Sequence, residues 1–233
     1  MLLRLDNLSV FHHDGTRALD GVSFALAPGE RVGLIGPNGA GKSSLLLAIM
    51  NGLHIHGGIT IDGMELSRKT ADDARCRCGL VFQDADDQLF MPTLLEDVAF
   101  GPLNQRMDAS AADEHARAAI AAVGLAGLEG KSAHHLSGGQ KRVAAIATVL
   151  AMRVKLLLLD EPAANLDVRS RRRLIDLLAA RDEAILLAAH DLDIIRRLCS
   201  RVLLLDEGKL VADGPATTIL GDTELLRRHG LME

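Results

Sequence analysis

Gly36 to Ser43 reads GPNGAGKS, which fits G-x-x-x-x-G-K-[ST], between the apolar runs RVGLI and SLLLAIM. Glycines at these positions let backbone N–H groups turn toward an anion with no side chain in the way. A helix starting near Lys42 adds the positive end of its dipole. Lys42 would then reach the β- and γ-phosphates of a nucleotide, and Ser43 would ligate Mg2+. A second feature, VKLLLLDE, Val154 to Glu161, sets two acids at the end of an apolar strand. Asp160 would hold Mg2+ directly or through water, and Glu161 would orient or deprotonate an attacking water. Each pattern has a structural alternative, a glycine-rich turn or a strand ending in acids at a wet surface. Together they point to binding and hydrolysis of a nucleoside triphosphate.

Such residues need a scaffold that brings strand ends together. The first 35 residues alternate as strands do: LLRLDNLSV, a turn at HHDGT, then VSFAL and RVGLI. GITIDG and CGLVF read as further short strands. From about Asp84 to Met152 strand signals give way to alanine-rich helices. One is expected to start at Ser110, with Asp113 three residues on as a capping box, and to stop at Gly124. Another is expected from about Gly139 to Met152. KLLLLD, AILLAAH and RVLLLDEG then alternate with helical RSRRRLIDLLAA and DLDIIRRLC. This βαβ rhythm of near-continuous apolar strands predicts a parallel sheet covered on both faces. The reading is a single α/β nucleotide-binding domain, 1–233, with a core of 1–83 and 153–233 and a helical subdomain of 84–152.

Composition narrows the function. The chain has 233 residues, 48% apolar, enough for a sizeable core. Aromatic residues are only 2%, with no Trp or Tyr, and the net charge is −5, so neither stacking platforms nor a basic footprint for nucleic acid is expected. Three cysteines, Cys76, Cys78 and Cys199, fit reduced thiols better than a disulfide framework or a four-ligand zinc site. The N-terminus MLLRLDNLSV does not read as a signal peptide, and no apolar run is long enough to span a membrane.

LSGGQ, Leu136 to Gln140, completes an ordered set: GPNGAGKS, Gln83, LSGGQ, LLLLDEP, NLD at Asn165 to Asp167, and His190 in LLAAHD. Over nearly its whole length the chain resembles the ATP-binding cassette family. The resemblance implies a phosphate-loop (RecA-like) core with an antiparallel β subdomain and an inserted α-helical subdomain. It implies ATP and Mg2+, held by Gly36, Pro37, Asn38, Gly39, Ala40, Gly41, Lys42, Ser43 and Ser44. It also implies a head-to-tail dimer, in which Ser137, Gly138, Gly139 and Gln140 of one copy face the phosphate loop of the other. Ser43, Gln83 and Asp160 would attend the metal. Glu161, His190 and Gln83 would be catalytic, and Asp167 would communicate across the dimer. The adenine-stacking aromatic is replaced. His12 falls at that position, with Phe11 as rival. Val143 stands where the family has Arg, and Ser44 where it has Thr.

VFQDADDQLF, with Asp84, Asp86 and Asp87, and TLLEDVAFGPLN after it, is similar to the cassettes of energy-coupling factor importers and of cobalt and nickel importers. That resemblance implies a transmembrane coupling protein whose basic cytoplasmic helices dock near Gln83, Asp84, Asp86 and Asp87. It also implies a small substrate-capture membrane protein, and a peripheral location on the cytoplasmic face of the cell membrane. The solute would be a vitamin or metal micronutrient, with biotin ahead of cobalt or nickel. The alternatives are a cassette of another transporter class and a soluble cassette ATPase acting on nucleic acid or ribosomes. His12-His13, His54/His56 and His134-His135 fall where turns and loops are expected and are not read as a metal site.

Overall fold

The computed structural model describes residues 1–232. In chain order the elements are β1 (Leu3–Phe11), β2 (Arg17–Leu26), β3 (Arg31–Ile35), α1 (Lys42–Ile49), β4 (His54–Ile61), β5 (Met64–Glu65), α2 (Ala71–Arg75) and β6 (Cys78–Val81). Then come α3 (Leu94–Asn104), α4 (Ala109–Ala122), α5 (Gly138–Leu150), β7 (Leu156–Asp160), α6 (Val168–Ala179), β8 (Ala184–Ala188), α7 (Leu192–Leu198), β9 (Arg201–Asp206), β10 (Lys209–Pro215), α8 (Ala216–Ile219) and α9 (Thr223–Arg228). They form two compact units, one of 1–78, 155–160 and 182–232, the other of 79–154 and 161–181.

The first unit contains an antiparallel sheet in the order β2-β1-β4-β5. β4 turns into β5 through Asp62-Gly63, both at positive φ (51° and 77°), the two-residue turn that suits the twist of a hairpin. The other sheet of this unit runs β10-β9-β3-β8-β7, with β9, β3, β8 and β7 parallel and β10 antiparallel at the edge. Every residue of β7 and β8 is buried. Their unbroken apolar runs are what a strand covered on both faces requires. Gly33 on β3 lies under α7, where a Cβ would press into Ile195. The expected α/β architecture with a parallel sheet is therefore the one found.

The chain leaves this unit after Cys78 and returns at Lys155, and the two places are fastened together. Lys155 N–H and Leu156 N–H both donate to the Arg77 carbonyl, at 2.8 and 3.1 Å. The Asp62 carboxylate takes the Arg77 guanidinium at 3.0 Å and the Lys155 ammonium at 2.7 Å. The Lys155 hydrogen bond, outweighing some desolvation, holds the Asp62 carboxyl below the usual carboxylate range.

The second unit is helical. α5 is buried from Arg142 through Leu150 and forms its centre, with α3 and α4 packed against it. α3 starts at Thr93, whose hydroxyl accepts the Glu96 N–H at 3.3 Å. α4 begins earlier than the sequence suggested. Its cap is Asp108, which accepts the Ser110 N–H at 3.0 Å, while Asp113 pairs with Arg117 one turn on. Both S-x-x-D and the earlier Asp satisfy the capping pattern, and Asp108 satisfies one of the free amides of the first turn. Gly124, at φ 82°, ends this helix as expected. A second correction concerns His54 and His56, expected in a loop. They belong to β4, paired with β1 opposite Phe11 and Ser9.

Candidate active site

Parallel pairing aligns the ends of three strands. Leu34 of β3 and Asp160 of β7 are both in register with Ala188 of β8. The phosphate loop follows β3, Asp160 ends β7, and His190 follows β8, so all three arrive at the carboxyl edge of the sheet. That edge is where open parallel sheets bind ligands.

The loop itself is built around glycines that nothing else could replace. A Cβ at Gly36, φ 155°, would overlap the Leu205 carbonyl oxygen. At Gly41, φ 102°, it would stand 2.5 Å from Leu19 and 2.8 Å from the Ala18 carbonyl oxygen. Lys42 is buried, 7% exposed, and its ammonium donates to the carbonyls of Gly36 at 2.7 Å and Pro37 at 2.9 Å. His190 Nε2 lies 3.5 Å from the Lys42 Nζ. Desolvation of the ring first, and the Lys42 charge second, hold the His190 pKa below its ordinary value, while Asp160 pulls the other way. The Asp160 carboxylate is 5% exposed. On the other flank, Ser44 Oγ lies 3.4 Å from His12 Nε2. Phe11, the rival for adenine stacking, instead packs on His56, with ring centroids 5.1 Å apart.

Within the first unit the structure thus gathers Lys42, Ser43, Asp160 and His190, with His12 against Ser44. Gln83, Glu161 and Ser137 to Gln140 belong to the second unit. Gln83 follows β6, and its carbonyl accepts Arg142 Nη2, as the Phe82 carbonyl accepts Arg142 Nη1 at 3.0 Å. Arg142 comes from α5 and is buried, 8% exposed. Gln88 fixes the same segment, accepting the Phe82 N–H at 3.1 Å and donating to Thr148 Oγ1 at 2.6 Å. Glu161 sits at φ 49°, a left-handed conformation that costs a non-glycine residue on the order of 1–3 kcal/mol.

Ser137 caps α5 in a reciprocal box. Its hydroxyl accepts the Gln140 N–H at 3.3 Å, and the Gln140 side chain accepts the Ser137 N–H at 2.9 Å. A Cβ at Gly138 would meet nothing within 4 Å, and at Gly139 only Leu166 at 3.8 Å. Packing among the described residues gives no reason for either glycine. Asp167 caps α6 through the N–H groups of Arg169 and Ser170.

The acidic turn is partly neutralised internally. Asp84 caps a 3-10 turn by accepting the Asp86 N–H at 3.0 Å, and Asp86 pairs with Lys141 at 2.5 Å. Asp87 stays exposed. Beyond it stand two aromatics the sequence reading passed over. Phe90, 62% exposed, meets Phe100, 41% exposed, edge to face at 5.1 Å. The available signal was their position in QDADDQLF and VAFGPLN, where apolar rings follow charge. Asp97 was missed too. It is 3% exposed and its Oδ1 accepts the N–H groups of Phe90 at 2.9 Å and Met91 at 2.8 Å.

No helix among the described residues is long and apolar enough to cross a membrane. Residues 19–164 match the ABC transporter family. The energy-coupling factor transporter ATP-binding protein EcfA of Methanothermobacter thermautotrophicus is 40% identical, over 99% of this chain and 76% of its own length. The cobalt import ATP-binding protein CbiO of Rhodobacter capsulatus is 41% identical, over 99% of this chain and 84% of its own. Among solved structures, cbiO1 of Clostridium perfringens, part of the ABC transporter complex cbiONQ, superposes with a TM-score of 0.82 at 34% identity, covering 99% of this chain and 94% of that one. Fold, phosphate loop and relatives agree, and the chain belongs to the ABC transporter family as an ATPase of the energy-coupling factor type.

Proposed function

We propose that this chain is the ATP-hydrolysing subunit of an energy-coupling factor importer for a vitamin or metal micronutrient, either biotin or a cobalt or nickel ion. The relative named for cobalt import supports the metal arm. The observation that carries the catalytic reading is the convergence of the Lys42 ammonium and the His190 imidazole at the carboxyl edge of the sheet, 3.5 Å apart.

Two donors aimed at one place suit an oxyanion with more than one oxygen. Lys42 would exchange its loop carbonyls for the β- and γ-phosphates, and His190 would hold the γ-phosphate against the attacking water. Glu161 would orient that water and take its proton. His12, beside Ser44, would stack on adenine. The oxygen donors Ser43, Gln83 and Asp160 fit a hard cation, and Mg2+ held there would offset phosphate charge. The second phosphate terminus would be Ser137 to Gln140 of another copy, head to tail. The open space over Gly138 supports close approach by an outside group. We further place the chain on the cytoplasmic face of the cell membrane. A transmembrane coupling protein would dock basic helices near Gln83, Asp84, Asp86 and Asp87, with a solute-capturing membrane protein beside it.

Hydrolysis by the purified chain tests the reading. Mg2+-dependent release of phosphate is expected, with Glu161→Gln at least about a hundredfold slower and dimeric on gel filtration with Mg-ATP. Equal rates for parent and variant would overturn the catalytic assignment.

A further inference from the structure

Away from the nucleotide site, two imidazoles converge on β4. His54 and His56 are two residues apart on a strand, so their side chains share a face. Both are exposed. β4 is paired with β1 along this stretch, and its pairing with β5 covers only Thr60 and Ile61. The Phe11 ring flanks both histidines, 6.1 Å from His54 and 5.1 Å from His56 by ring centroids.

The two Nε2 atoms lie 3.3 Å apart. That is long for a hydrogen bond between ring nitrogens. It is the spacing of two nitrogens sharing one tetrahedral cation. At a metal–nitrogen distance of about 2.05 Å, donors 3.3 Å apart subtend about 107°. An octahedral or square-planar angle would bring them to about 2.9 Å. The ring centroids give an independent check. Each lies about 1.1–1.2 Å behind its nitrogen, so the same cation calls for centroids about 5.2 Å apart, against about 5.6 Å for a straight N–H···N bond. They are 5.2 Å apart, with the ring planes at 79°.

We infer that His54 and His56 form a surface site for one borderline transition-metal dication of the Zn2+ or Co2+ class, held tetrahedrally by two imidazole nitrogens, with two positions left to water or an outside ligand. Imidazole suits such ions, whereas Mg2+ prefers six oxygens, so magnesium accompanying a nucleotide does not compete. The alternation of the strand sets the geometry, and the Phe11 ring flanks both imidazoles.

Nucleotide-free full chain is titrated with Co2+ in a Cys76→Ser background, which removes the exposed thiol as a rival ligand. The expected result is saturable binding of one equivalent with the intense visible band of tetrahedral cobalt. His54→Gln and His56→Gln each weaken it about tenfold or more, while a His134→Gln, His135→Gln double variant leaves it unchanged. Metal-free unfolding midpoints check that the variants fold. Zn2+ titration of the unmodified chain, followed by histidine ring NMR, gives a readout that needs no variant. The His54 and His56 signals should move together. Undiminished binding in both single variants, an octahedral cobalt spectrum, or ring shifts confined to other histidines would overturn the site.

Discussion

The His190 imidazole and the Lys42 ammonium face each other at 3.5 Å, and the lysine charge is one reason the histidine titrates below its ordinary range. Two groups that repel when both are charged stay this close while the Gly36 and Pro37 carbonyls hold the ammonium in place. An anionic phosphate between them would reward both. His190→Ala should therefore slow hydrolysis by about a hundredfold to a thousandfold, the usual loss for one oriented donor. Nucleotide affinity should change far less. Lys42→Ala should lose affinity as well. Steady-state phosphate release and equilibrium binding of a fluorescent nucleotide separate the two outcomes.

Arg142 reaches from α5 to the carbonyls of Phe82 and Gln83. Each charge-assisted bond contributes about 1.5–3 kcal/mol when its partner is removed from water. Arg142→Ala should lower unfolding stability by about 2–4 kcal/mol. Lysine should not rescue it, since one ammonium cannot reproduce the guanidinium fork. Urea denaturation checks the stability. A matching fall in kcat, with affinity for nucleotide kept, would mark Arg142 as a positioning residue for Gln83.

Burial pushes the Asp97 carboxyl up, against the pull of the Met91 and Phe90 N–H groups. Its folded pKa thus stands above the unfolded value near 3.8, so the folded chain binds this proton more tightly. The resulting stability is complete below the unfolded value and is lost as pH rises through the folded one. Asp97→Asn keeps the Oδ1 acceptor and carries no charge. As pH falls from neutral toward the unfolded value near 3.8, the parent should gain stability relative to this variant. Denaturant midpoints at several pH values measure the difference, and parallel curves would contradict it.

Cys78 and Cys199 are buried, and burial pushes each thiol up to about 12. Thiolate, the reactive form, is then scarce at neutral pH. Cys76 is exposed. Native protein should react with one equivalent of a thiol reagent and denatured protein with three, and Cys76→Ser should abolish the native reaction. Mass spectrometry of the labelled chain reads the count.

What the sequence disclosed was whatever a short window constrains. GPNGAGKS and LLLLDE could be read because spacing along a loop or strand end determines which groups meet. β7 and β8 could be read because unbroken burial demands unbroken apolar residues. Competition between equally good local signals was not legible. Asp108 and Ser110 both look like caps, and in the fold Asp108 takes the place, accepting the Ser110 N–H. Nor were distant partnerships. Lys141 meets Asp86 and Arg142 meets Phe82 across more than fifty residues, with no local pattern to announce either. His54 and His56 fell outside the short strand read at GITIDG, whereas the ladder they join is supplied by β1.

The stitching of Arg77 to Lys155 under Asp62 has a consequence for how this chain can vary. The stretch from Gly79 to Val154 starts and finishes at this clasp, so a loop inside it can change length without moving the clasp. Doubling such a loop adds only about 0.6 kcal/mol of closure entropy. Lineages, or protein engineers, are free to lengthen or trim surface loops within that stretch while the strand ends that carry Lys42, Asp160 and His190 stay where they are.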